Sequence, residues 1–162
     1  MNSQLVAAHE TIQRAFPGSP RPEAEELVSI GEVHAYAPNS VLCKENQIED
    51  IFFVILEGVV EVTKTINETQ ERLLNHLRKG DFFGEMGLIH NAARVATVTT
   101  TKATKVLEIH KATFERLLRQ SSSMSLAMMM EVSRRLREND EMAIEDLRLK
   151  AGELAAAYQR MA

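Results

Sequence analysis

What most limits the folds open to this chain is a change of hydrophobic period that begins at Glu32 and is over by Lys111. Between those points apolar residues come in short runs broken by turn residues, and no run has the length and three-to-four spacing of a helix. Val33, Ala35 and Ala37 alternate with polar neighbours before Pro38-Asn39-Ser40 turns the chain. Val41-Leu42-Cys43 is the next strand, and Glu45-Asn46-Gln47 the next turn, with Asn46 able to adopt a left-handed conformation. Residues 51–56 are almost wholly apolar, as suits a buried strand. Residues 59–65 and 71–77 then pair across a hairpin tip at Asn67-Glu68-Thr69, and further strands fall at about 95–101 and 104–110. About eight short strands at close intervals predict a mainly β chain, an antiparallel β-roll or jelly-roll barrel.

Helices flank this region. Leu5, Ala8, Ile12, Ala15 and Phe16 recur at helical spacing over residues 3–16, ending before Pro17-Gly18. A second helix at 22–30 starts near Pro22 and closes at Gly31. Past the strands, Phe114, Leu117 and Leu118 mark a short helix, and Ser121-Ser122-Ser123 offers a cap for a longer one over 124–162. Leu126, Met129, Val132 and Leu136 form one stripe on it. Ile144, Leu147, Ala151, Leu154, Tyr158 and Met161 then alternate by three and four, the spacing of a coiled-coil seam. Some 38 residues would run about 57 Å, longer than a small barrel can cover, so the seam predicts a partner helix and a homodimer. The expected organisation is an N-terminal helix and linker at 1–21, the β-roll at 22–122 and the long helix at 123–162. That helix lacks a glycine or proline stop signal, which suggests a piece excised from a longer protein, its seam continuing into an output domain.

Within the roll, residues 80–98 carry the chemistry: Gly-Asp-Phe-Phe-Gly-Glu-Met-Gly-Leu-Ile-His-Asn-Ala-Ala-Arg-Val-Ala-Thr-Val. Gly84 permits a tight turn and close approach of a ligand to the main chain. Met86-Gly87-Leu88-Ile89 can form one helical turn whose first amides are unpaired, an arrangement that attracts an anion. A loop returning on itself would set the Arg94 guanidinium opposite those amides, leaving Glu85 to accept hydrogen bonds from sugar hydroxyls. These groups suit a nucleotide with a single negative charge.

Phe82-Phe83-Gly84-Glu85-Met86-Gly87-Leu88, a short spacer and Arg94-Val95-Ala96-Thr97-Val98 resemble the phosphate-binding cassette of cyclic-nucleotide-binding domains, as found in the catabolite activator, the regulatory subunits of cAMP-dependent kinase and cyclic-nucleotide-gated channels. The resemblance runs from about residue 22 to 140. It implies that Arg94 pairs with the cyclic phosphate and Glu85 holds the ribose 2′-hydroxyl, with Gly84, Met86, Gly87, Leu88, Val95 and Ala96 completing the ligand contacts. It also implies a long helix that caps the pocket, with Asn139 against the purine. The residue after the arginine is Val95, where cGMP-preferring relatives often carry threonine, so the expected ligand is cAMP, with cGMP possible. Glu45-Asn46-Gln47 departs from the family's usual glycine-aspartate turn.

Other chemistry finds little support. Double-stranded β-barrels also host metal enzymes, but His9, His34, His76, His90 and His110 are scattered and form no close pair. Cys43 sits in an apolar strand with only Lys44 beside it, and Met128, Met129 and Met130 read as helix packing rather than a soft metal site. The expectation is a binding module, not an enzyme. A formal charge of −4 gives no basic footprint for nucleic acid. Arg134-Arg135-Leu136-Arg137 is followed at once by acids, as on a solvated helix face. A single cysteine, no apolar run near 20 residues and no signal-peptide core predict a cytoplasmic protein with no membrane contact. The competing reading is a degenerate β-roll that dimerises without nucleotide; a metal-dependent barrel enzyme is the remoter one.

Overall fold

A computed structural model describes the backbone of residues 3–84 and 96–160, and their side chains except those of 3–7, 139–143 and 146. The element order is α1 (Ser3–Ala15), α2 (Arg21–Ile30), β1 (Glu32–Tyr36), β2 (Val41–Cys43), β3 (Ile51–Glu57), β4 (Val59–Asn67), β5 (Gln70–Arg78), β6 (Phe82–Phe83), β7 (Thr97–Thr100), β8 (Thr104–His110), α3 (Lys111–Gln120) and α4 (Ser122–Arg160). The strands form two antiparallel four-stranded sheets, ordered β1-β8-β3-β6 and β2-β7-β4-β5. This is the β-roll that the strand spacing predicts, with helices at both ends.

The apolar run in β3 is continuous because both faces of the strand are covered. Phe53 and Ile55 face inward, in a cluster with Cys43, Val60, Phe83, Val98 and Val106. Phe52 alternates to the other face. There its ring lies 4.9 Å from Phe114 of α3, 5.5 Å from Phe82 of β6 and 6.1 Å from Phe16, just past the end of α1. Four aromatic side chains from the two chain ends and the barrel thus make one packed layer, which anchors the helices to the first sheet. Ala24 and Leu27 of α2 and Leu117 of α3 are also buried.

The turns follow local chemistry. Asn39 and Asn46 both adopt positive φ, 66° and 69°, so the Glu45-Asn46-Gln47 turn forms without the family's glycine. At the β4–β5 tip, Asn67 Oδ1 accepts from the Thr69 amide at 3.0 Å and from its hydroxyl at 3.1 Å. Ser121 caps the long helix, its Oγ accepting from the Met124 amide at 3.1 Å. Of the alternating run at 33–37, the structure keeps Glu32–Tyr36 as strand. Val33 is 48% exposed on it, and Tyr36 packs against the inner cluster. The described residues divide into two compact units, Met1–Ala127 and Met128–Ala162. In the second, Leu136, Ile144, Leu147, Leu154 and Tyr158 are all exposed.

Candidate ligand site

The cassette is held at its entry by the first sheet. Arg78-Lys79-Gly80-Asp81 turns back on itself: the Asp81 amide donates to Arg78 O at 2.9 Å, and Asp81 Oδ2 accepts from the Arg78 amide at 2.9 Å. The same turn is tied to β3, since the Ile55 amide donates to Asp81 O at 2.9 Å and the Gly80 amide to Ile55 O at 3.0 Å. Two phenylalanines follow as β6, in register with β3 through Phe53↔Phe83 and Val54↔Phe82. The Phe53 and Phe83 rings stack at 4.6 Å and 10°. The chain then reaches Gly84 at φ 89°, a left-handed conformation that any side chain would strain. It is next described at Ala96, immediately before β7, which lies between β2 and β4 in the second sheet. Gly84 thus follows a strand of the first sheet and Ala96 precedes a strand of the second, with the segment 85–95 between them in sequence.

Of the residues expected to bind ligand, Gly84 and Ala96 flank this segment. Glu85, Met86, Gly87, Leu88, Arg94 and Val95 lie outside the described residues. Asn139 is placed by its backbone within α4, and its side chain is likewise outside the description. The entry strand β6 escaped sequence reading, because two residues are too few to show a period.

A polar group on the inner edge of the first sheet also escaped it. Tyr36 OH donates to both carboxylate oxygens of Glu108 at 3.1 Å, across 72 positions of chain. Burial, followed by the Glu108 charge and its hydrogen bond, pushes the phenol up to about 12. Spectrophotometric titration should accordingly show one of the two tyrosines ionising only near pH 12, and Tyr36→Phe should remove that step. Near the second sheet, Glu45 Oε2 accepts from the Thr65 amide at 3.0 Å, and this backbone hydrogen bond holds the carboxyl below the usual range. Among the described residues, no group of three or more His, Cys, Asp or Glu side chains is arranged to hold a metal ion. No helix among them is long and apolar enough to cross a membrane.

Comparison with known proteins supplies the decisive observation: residues 33–121, more than half of the chain, match the cyclic nucleotide-binding domain. The chain belongs to that family. The match runs from β1 to the end of α3 and so takes in both sheets and the whole cassette. Among curated members, the cAMP-dependent protein kinase regulatory subunit of Mycosarcoma maydis is 33% identical over 125 residues, covering 72% of this chain and 24% of that protein. The cAMP-activated global transcriptional regulator CRP of Salmonella typhimurium is 29% identical over 121 residues, covering 74% of this chain and 58% of the regulator. The chain thus spans from about a quarter to somewhat over half the length of these relatives. The crystal structure of a cyclic nucleotide-binding domain from Methylobacillus flagellatus superposes with a TM-score of 0.77 at 20% identity, over 88% of this chain and 83% of that one. At that identity the likeness establishes the β-roll with its flanking helices.

Proposed function

We propose that this chain is a cAMP-binding regulatory domain that passes ligand occupancy to its C-terminal helix and from there to an output domain. The observation that carries the reading is the family match across 33–121 together with a cassette that keeps glycine, acid and arginine at Gly84, Glu85, Gly87 and Arg94. Arg94 pairs with the cyclic phosphate, and Glu85 accepts from the ribose 2′-hydroxyl. Gly84, Met86, Gly87, Leu88 and Ala96 line the phosphate turn, and Asn139 offers an amide donor and a carbonyl acceptor to the purine. Val95 offers guanine no hydroxyl, which favours cAMP over cGMP. The names of both curated relatives point the same way. The role is binding rather than catalysis. We place no nucleic-acid contact on the 162 residues themselves, whose formal charge is −4.

The test is a calorimetric titration with cAMP, cGMP and 2′-deoxy-cAMP. We expect cAMP to bind tightest, cGMP by a modest ratio less, and the deoxy analogue weakly because Glu85 loses its donor. No binding of any of the three would overturn the proposal, and a preference for cGMP would reverse the choice of ligand.

The helix supplies the partner. Ile144, Leu147, Leu154 and Tyr158 are exposed apolar side chains at coiled-coil spacing, which supports a parallel dimer with a second copy of the chain. Ala151 and Gly152 weaken both packing and helix propensity, so the dimer should be marginal and strengthened by cAMP. Sedimentation should show ligand-dependent dimers in the wild type and none in a Leu147→Glu, Leu154→Glu double variant. A double variant that dimerised like wild type would exclude this seam.

A further inference from the structure

β7 lies between β2 and β4, and its ladder with β4 runs from Val60↔Thr100 to Thr63↔Thr97. Just beyond one end of it the Thr101 amide donates to Val59 O at 3.0 Å. Hydrogen-bonded pairs alternate along an antiparallel ladder, so those of this one are Glu61↔Thr99 and Thr63↔Thr97. One step further, the same register would call for a partner to the Thr65 amide at position 95. A side chain takes that amide instead: it donates to Glu45 Oε2 at 3.0 Å. The Glu45 amide in turn donates to Thr97 Oγ1 at 3.0 Å. Glu45 follows β2, on the opposite side of β7 from β4, so this one residue reaches across the start of β7 to bind both of them.

We propose that Glu45 is a positioning residue for the nucleotide site: it ends the β4–β7 ladder at Thr97 and so fixes which residue begins β7 after the cassette. The inference rests on the cAMP-binding reading above, in which Ala96 lines the phosphate turn and Arg94, three residues before Thr97, meets the phosphate. A carboxylate suits the place. It accepts from a backbone amide as a strand carbonyl would, the bond is charge-assisted, and the side chain is long enough to span one strand. Thr97 holds the bracket from the other side, because its hydroxyl oxygen accepts from the amide of the same residue. With the Thr65 amide already engaged, the ladder gains nothing from sliding or lengthening toward the cassette. Glu45-Asn46-Gln47 is also the turn that departs from the family's glycine-aspartate pattern, and a glycine at position 45 would have no side chain to reach Thr65.

The experiment has two arms, both on the full chain. Without nucleotide, hydrogen exchange of the Thr65 amide reports the bracket itself. Glu45→Ala should quicken it about two- to tenfold, while Glu45→Gln, which keeps an acceptor oxygen, should stay near wild type. The β3 amides serve as the folding control and should not change in either variant. With nucleotide, calorimetric titration should show cAMP binding about two- to tenfold weaker in Glu45→Ala and close to wild type in Glu45→Gln. A merely structural loss would persist whatever the ligand touches, so the deciding protein is the Glu45→Ala, Arg94→Ala double variant. It should bind no more weakly than Arg94→Ala alone, because the group being positioned is already gone. Wild-type affinity in Glu45→Ala would overturn the positioning role, as would losses that add in the double variant. A Thr65 amide that exchanges alike in wild type and Glu45→Ala would overturn the bracket. A wild type that binds no cyclic nucleotide would bring down the functional reading, and the positioning role with it.

Discussion

Arg94→Ala should weaken cAMP binding by about tenfold to a few hundredfold while leaving the melting temperature of the ligand-free domain almost unchanged. The magnitude follows from the proposed role. A hydrogen bond to a charged group contributes roughly 1.5–3 kcal/mol, and each 1.4 kcal/mol is a factor of ten in affinity. Truncating the side chain leaves the phosphate with backbone amides alone, so part of its charge goes unmatched. Stability should be spared because, in the proposed role, Arg94 faces the ligand and is not a core residue. Isothermal titration of variant and wild type decides it. Equal affinity would remove Arg94 from the phosphate site, and a large drop in melting temperature would make the loss of binding a folding effect.

Phe52→Ala should have the largest effect on stability, about 3–5 kcal/mol. The side chain is fully buried and touches Phe16, Phe82 and Phe114, so its removal opens a void bordered by three rings that cannot all collapse into it. For a chain of this size the melting temperature should fall by roughly 2–4 °C per kcal/mol, hence by about ten degrees. Thermal unfolding followed by circular dichroism measures the shift. A fall of only one or two degrees would mean that the helices are not held to the roll through this layer. Phe82 is one residue of the cassette entry and is stacked on Phe16 at 5.0 Å. Part of the loss should therefore reappear as weaker nucleotide binding.

How much of this protein was legible in its residues depends on the range of the interaction involved. Local chemistry determined the strand sequence, the turns at Asn39 and Asn46, the Ser121 cap and the helices on either side, because each rests on neighbours within a few positions. The family was also legible, since Gly84, Glu85, Gly87 and Arg94 fall within eleven residues of one another and the match over 33–121 bears out the resemblance they carry. Pairing between distant strands was not. Nothing local in Tyr36 or His34 announces Glu108, more than seventy positions away, and only the β1–β8 register brings them together. The same holds for β6, a strand because β3 lies beside it rather than because two phenylalanines prefer to be one. The two-faced burial of β3 likewise needed both the inner cluster and the Phe16–Phe114 layer in place. Propensity, capping and turn geometry are properties of a short segment and can be read from it. Register and cross-sheet packing are decided by the whole chain closing on itself, and they appear only in the folded structure.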